Sequence, residues 1–193
     1  ALLGYANGLA LEGDIAYIAQ LTEEGASGGL LEIVDISNPL APVSIGSVEL
    51  AGEPNDVTVQ DGIAYVAAQT EGIFLVDVSN PASPSVITDY NSGGSCLAST
   101  LWGQYIIGAD GPSGFFVLKA DGTTLHKVAG VLDLGVVQDI AVWDTALFLP
   151  GTVADKGLSI FDISQPHAPA PLAKINGMTD RNQRGQIKAA TVA

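Results

Sequence analysis

Gly72–Pro84 reads Gly-Ile-Phe-Leu-Val-Asp-Val-Ser-Asn-Pro-Ala-Ser-Pro, an apolar run that ends on an acid and turns through two prolines. Versions of it return at Leu30–Pro42, Leu-Leu-Glu-Ile-Val-Asp-Ile-Ser-Asn-Pro-Leu-Ala-Pro, and at Gly157–Pro169, Gly-Leu-Ser-Ile-Phe-Asp-Ile-Ser-Gln-Pro-His-Ala-Pro. A weaker copy, Gly-Phe-Phe-Val-Leu-Lys-Ala-Asp-Gly, fills Gly114–Gly122. Asp35, Asp77 and Asp162 are 42 and 85 residues apart, and Lys119 stands where a fourth Asp would fall. A period near 42 residues marks a solenoid or a propeller.

Working outward, repeats fall at about 4–50, 51–91, 92–132 and 133–176, and 185–193 aligns with Gly52–Gln60 as the first strand of a fifth. Helical periodicity is almost absent, whereas Val, Ile, Tyr and Phe gather in short runs bounded by Gly, Asn, Asp and Pro. Each repeat therefore supplies four short strands. In the second these are Asp56–Gln60, Ile63–Gln69, Ile73–Val78 and Ser85–Tyr90, with Asp61-Gly62 as a two-residue hairpin turn. The third repeat is degenerate: Lys119-Ala-Asp-Gly122 replaces the proline corner, so a different turn is expected there.

Two features turn repeats into architecture. Ile73 and Leu75 point to one side of their strand and Phe74, Val76 and Val78 to the other, so both faces need cover. Stacked blades give that cover, and the fold class expected is all-β, a β-propeller of four-stranded antiparallel blades. The corner residues Asp35, Asn38, Pro39, Asp77, Asn80, Pro81, Asp162 and Pro166 are read as structural. Proline fixes φ and ends the ladder, and the Asp carboxylate accepts from the backbone N–H groups of the Ser and Asn that come after it. Four repeats and one strand make an awkward ring. Either 1–3 and 187–193 join in its closure, or the chain is a section of a larger propeller, the reading preferred here.

The chain is 47% hydrophobic and can bury a core. No run approaches the roughly 18 apolar residues of a membrane-spanning helix, and the opening Ala-Leu-Leu is consistent with a processed or truncated start. The single Cys96 forms no intrachain disulfide. Of the net charge of −14, residues 1–118 hold fourteen acids and no Lys or Arg, while all seven bases lie from Lys119 onward beside seven acids. Such a first half repels nucleic acid and anionic lipid and attracts cations or basic protein surfaces, besides keeping the chain soluble.

The segments Ile-Val-Asp-Ile-Ser-Asn-Pro (33–39) and Leu-Val-Asp-Val-Ser-Asn-Pro (75–81), preceded by Ala-Tyr-Ile-Ala (16–19) and Ala-Tyr-Val-Ala (64–67), resemble the LVIVD repeat family of bacterial and archaeal β-propellers. The likeness covers nearly the whole chain, strongly in repeats one, two and four. It implies a propeller of secreted or cell-surface proteins with binding or scaffolding roles, and it brings no family-wide catalytic residues.

Reactive residues are few. The only histidines, His126 and His167, lie in different repeats at different positions, the first in an outer strand and the second in a solvated corner. No Gly-x-Ser-x-Gly elbow occurs, and Gly151–Gly157 lacks the ending and the helix of a phosphate loop. Tyr17, Tyr65 and Tyr105, with Phe148 in the fourth repeat, recur as a core layer, and Trp102 and Trp143 sit at turn or strand-end positions. The candidate partner-binding residues are loop acids: Glu23, Glu24, Glu53, Glu71 and Asp110. Arg181 and Arg184 form the one basic loop. No cofactor is expected; calcium is the ion that such carboxylates would suit, although no Asp-x-Asp-x-Asp-Gly loop is present. The function expected is a non-catalytic protein-binding or scaffolding propeller of the cell envelope or extracellular space, with a protein partner or assembly neighbour. The alternatives are a hydrolase or lactonase-like enzyme with a metal in its channel, and a structural subunit whose open strand edges another segment or chain completes.

Overall fold

The computed structural model describes residues 4–22, 28–151 and 157–176. Sixteen strands fill them: β1 Tyr5–Glu12, β2 Ile15–Leu21, β3 Gly28–Asp35, β4 Val43–Ala51, β5 Asp56–Gln60, β6 Ile63–Ala67, β7 Ile73–Asp77, β8 Ser85–Tyr90, β9 Ala98–Trp102, β10 Tyr105–Ala109, β11 Phe115–Asp121, β12 Thr124–Val131, β13 Ala141–Trp143, β14 Ala146–Gly151, β15 Gly157–Asp162 and β16 Ala170–Asn176. They form four four-stranded sheets in sequence order, β1 to β4, β5 to β8, β9 to β12 and β13 to β16. All sixteen pair as antiparallel meanders, with the period of about 42 residues read from the sequence, and the sheets are consistent with propeller blades. No described helix is long and apolar enough to cross a membrane.

The chain divides into two compact units, 1–99 and 100–193. In the first, Tyr17, Ala19, Leu31 and Ile33 of one sheet form a buried cluster with Val57, Ala64, Val66, Ala68, Phe74, Val76 and Val78, which lie in or beside the next sheet. Successive residues of β7 are buried on both sides, Ile73 at 0%, Phe74 at 8%, Leu75 at 4% and Val76 at 0% exposure, so its unbroken apolar run is accounted for. Each such side chain contributes about 1.5–3 kcal/mol by leaving water. In the second unit the Phe115 and Phe161 rings meet edge to face at 5.3 Å, carrying β11 onto β15.

Side chains also lace the first strands to neighbouring segments. Asn7 Nδ2 donates to the Pro54 carbonyl at 3.0 Å, and Asn55, at the same place in the next repeat, donates to the Leu97 carbonyl at 2.5 Å. Thr58 Oγ1 donates to the Ser99 carbonyl at 3.0 Å while the Ser99 amide donates to Asp56 Oδ2 at 2.9 Å.

The corners form as their residues dictate. The Ser37, Ser79 and Ser164 amides donate to Oδ1 of Asp35, Asp77 and Asp162 at 2.8, 2.9 and 2.8 Å. Asn38 serves the next turn instead, accepting from the Leu40 amide at its side chain and from the Ala41 amide at its carbonyl; Asn80 repeats both bonds with Ala82 and Ser83. In the degenerate third repeat β11 runs on to Asp121 and turns tightly into β12, with Asp121 opposite Thr124. Asp61 and Gly62, at φ 53° and 75°, take the left-handed conformations of a type I′ hairpin.

Three features depart from the sequence reading. Every sheet carries a β-bulge at one repeat position, between Ile33 and Val34, Leu75 and Val76, Val117 and Leu118, and Ile160 and Phe161. The extra residue lies in the outer strand: Ile45, Ile87, Val128 or Leu172. A bulge there twists an edge that would otherwise offer a flat template for pairing. Tyr105 does not share the place of Tyr17 and Tyr65. It pairs with Lys119, as Ile63 pairs with Asp77, and Ile107 opposite Val117 fills the core position that Tyr65 opposite Leu75 and Phe148 opposite Ile160 fill. Lastly, Leu158 and Ile160 of β15 are only half-buried, so the third strand of the fourth sheet lacks the full cover its counterparts enjoy.

Candidate functional site

In the second and third sheets the loop joining the second strand to the third meets the connection to the following sheet, at the end opposite the turn from third strand to fourth. In Ala68–Gly72 the Ala68 amide bonds the Gly72 carbonyl at 2.8 Å and the Glu71 amide bonds Ala68 at 3.1 Å. Gln69, at φ 49°, exchanges two 2.9 Å backbone bonds with Cys96. This strained residue aims its amide at a carboxylate: Gln69 Nε2 donates to Glu53 Oε2 at 2.8 Å. Glu71 joins them, because its Cγ lies 2.6 Å from where a Cβ on Gly52 would stand, a place open only to glycine at φ +74°. Asn91 Nδ2 ties down the Thr70 carbonyl at 3.0 Å. Glu53, Gln69 and Glu71, all half-buried, thus form one acidic ridge on a braced loop.

Asp110 belongs to the second unit. The segment Asp110–Gly114 repeats the same backbone bonds, Asp110 amide to Gly114 at 2.8 Å and Ser113 amide to Asp110 at 2.9 Å, and Asp110 takes the place that Ala68 holds. It is 3% exposed, which withdraws its carboxylate from any surface contact. Glu23 and Glu24 lie outside the described residues, as do Arg181, Arg184 and 185–193. Two of the five candidate acids are therefore brought together.

At the corner end, Asp35, Asp77 and Asp162 are held below the ordinary carboxylate range. The Ser37 amide and then its hydroxyl do this for Asp35, the Ser79 hydroxyl and then its amide for Asp77, and the Ser164 amide and then its hydroxyl for Asp162. Each carboxylate is engaged in shaping its own turn, in keeping with a structural role. The second unit adds an aromatic group that the sequence left unassembled. Trp102 stacks on Tyr105 at 6.0 Å and donates from Nε1 to the Asp144 carbonyl at 2.6 Å, and the exposed His167 ring stands edge-on to Tyr105 at 6.1 Å. Trp143, at the repeat position of Trp102, is 61% exposed.

A buried polar pair also went unread. Gln20 and Glu32, 4% and 8% exposed, are joined by a 2.7 Å bond from Nε2 to Oε2. The signal was present: Glu32 interrupts an apolar run where the second and third repeats have Phe74 and Phe116. Among the described residues no group of three or more His, Cys, Asp or Glu is arranged to hold a metal ion.

No curated protein matches the chain. The family model described as the LVIVD repeat matches residues 3–49, 51–92 and 135–175, passing over the degenerate third repeat although that stretch builds a sheet like the others. With most of its length matched, the chain belongs to the LVIVD repeat family.

Proposed function

We propose that the chain is a non-catalytic binding or scaffolding module of the cell envelope or extracellular space, engaging a basic protein surface through its acidic loops. The observation that carries this reading is the ridge of Glu53, Gln69 and Glu71, placed on a loop whose backbone is pinned from both sides. Fixed carboxylates on a chain whose first 118 residues hold no Lys or Arg favour cationic partners and steer their approach. The placement in the envelope or outside rests on the family resemblance.

The full chain, immobilised, is exposed to a cell-envelope extract at about 50 mM salt. The wild type is expected to retain a protein that Glu53→Gln/Glu71→Gln loses and that the corner control Asp35→Asn/Asp77→Asn keeps. Retention insensitive to the loop pair would overturn the placement. Raising the salt to roughly 0.5 M shortens the Debye length below about 5 Å and should mimic the double variant.

A further inference from the structure

One cross-strand row departs from the rule of the repeat. Where the third strand meets its corner, the first, second and fourth sheets place Asp35, Asp77 and Asp162 opposite Ile15, Ile63 and Ala146, with an uncharged residue across the outer strand. In the third sheet the same row pairs Tyr105 with Lys119 and Lys119 with His126, so a base stands where the others hold an acid. Trp102 extends the row, stacked on Tyr105 at 6.0 Å and fixed by its 2.6 Å bond to the Asp144 carbonyl. His167 comes from the corner of the fourth sheet and stands edge-on to Tyr105 at 6.1 Å. Both histidines, which the sequence sets in different repeats, therefore belong to one surface of the second unit.

Directly paired residues point to the same face of a sheet and neighbouring strands lie about 4.8 Å apart, so the row from Trp102 to His126 runs roughly 14 Å. All five side chains reach solvent, Trp102, Tyr105 and Lys119 in part and His126 and His167 as exposed residues. A clamp between the third and fourth sheets would use Trp102, Tyr105 and His167, but it requires neither Lys119 nor His126. Aromatic faces at one end, an ammonium in the middle and imidazoles beside both are the groups that recognise an anionic sugar chain. Its rings stack on the aromatics, its carboxylate takes charge-assisted bonds from Lys119, and its hydroxyls bond the imidazoles. The row crosses the strands instead of following an edge, so a peptide gains no main-chain ladder from it. The acids of the adjoining turns, Asp121 and Asp144, are exposed and take no place in the row. We infer that Trp102, Tyr105, Lys119, His126 and His167 form a binding site for an acidic polysaccharide, with a uronate carboxylate on Lys119. The inference is independent of the acidic ridge and concerns the other unit.

A linear hexamer of uronic acid, titrated into the full chain and followed by calorimetry and tryptophan emission, tests it beside a neutral hexose hexamer and hexaglutamate. The uronate hexamer is expected to bind at least about tenfold more tightly than either. Lys119→Asp, which installs the residue of the other repeats, and His126→Ala, at an exposed position of the outer strand, should each weaken it about tenfold. Lys127→Asp makes the same change of charge on the opposite face of β12 and should stay within about twofold of the wild type. Thermal midpoints identify the folded variants, and failure of one to fold leaves the others. Glu53→Gln/Glu71→Gln should keep the affinity, so failure of the ridge and failure of this site are told apart. No binding of the uronate, equal binding by wild type, Lys119→Asp and His126→Ala, an equal loss from Lys127→Asp, or equal binding of the neutral hexamer overturns the inference. Hexaglutamate bound as tightly as the uronate overturns it in favour of an acidic protein partner.

Discussion

Removing the amide of Gln20 tests how a buried polar pair survives in the first sheet. Gln20→Ala deletes a donor 2.7 Å from a carboxylate that is 8% exposed, at a site itself 4% exposed. A hydrogen bond to a charged group contributes about 1.5–3 kcal/mol, and a carboxylate left short of a buried donor costs its desolvation besides, so the expected loss is about 2–4 kcal/mol. The second sheet shows what the same positions accept: Ala68 and Phe74, 0% and 8% exposed. Gln20→Ala/Glu32→Phe installs that apolar pair and should return to within about 1 kcal/mol of the wild type, because replacing both partners is far cheaper than orphaning one. Urea unfolding monitored by tyrosine fluorescence reads chiefly the first unit, which holds four of the five tyrosines. Tryptophan emission is the internal control, since Trp102 and Trp143 both belong to the second. A single variant costing under about 0.5 kcal/mol, or a double as unstable as the single, would refute the reasoning.

The turns give two further outcomes. Gly72 has φ +83° and a Cβ there would run into the Tyr90 carbonyl oxygen, whereas Gly93 at φ +77° faces open space; Gly72→Ala should cost about 3 kcal/mol or more and Gly93→Ala about 1, read as thermal unfolding midpoints. The corner carboxylates act through pH: because Asp35, Asp77 and Asp162 are held below their unfolded value, near 3.8, their stabilisation is present above it and disappears as pH falls through the folded values. Asp35→Asn/Asp77→Asn/Asp162→Asn should therefore lower the midpoint at pH 7 and converge on the wild type near pH 2, and an equal deficit at both ends would count against the corner bonds.

The strands were legible because two independent signals agreed. Asp56–Gln60, Ser85–Tyr90 and Thr124–Val131 appear with the boundaries their residues suggest, each closed by Gly, Pro, Asn or Asp as well as by the end of an apolar run. Where only one signal operated, the reading slipped. Tyr105 recurs in a second strand as Tyr17 and Tyr65 do, although it stands two residues earlier in that strand than they do in theirs; a shift of two leaves a side chain on the same face, so alternation cannot detect it. The bulges are silent for a related reason. Ile45, Ile87, Val128 and Leu172 are ordinary strand residues, and only the count of partners across the ladder reveals one too many. Asp110 misled as a loop acid because a charge beside Gly-Pro reads as solvated, while the backbone bond from its amide to Gly114 folds it into the place of an alanine.

The distribution of polar side chains bears on function more than their number does. In the first unit, the Asn, Asp and Thr of the first strands, residue types that would serve a reaction, are committed to backbone partners: Asn7 to Pro54, Asn55 to Leu97, and Thr58 and Asp56 to Ser99. The corner acids are committed likewise, each to the serine two residues on. The corner bond recurs in three repeats and the Asn bond in two because each closes or joins a unit of structure, and a side chain required by the repeat is poorly placed to evolve a single reaction. Glu53 and Glu71 differ in kind. Blade to blade their positions change, Glu71 giving way to Ser113, and the contact that fixes Glu53 comes from a side chain, Gln69, that is Gly111 in the next repeat. Residues specific to one repeat, held in place by a partner equally specific, are where a repeat protein departs from its own rule, which is why the proposed binding surface is put there.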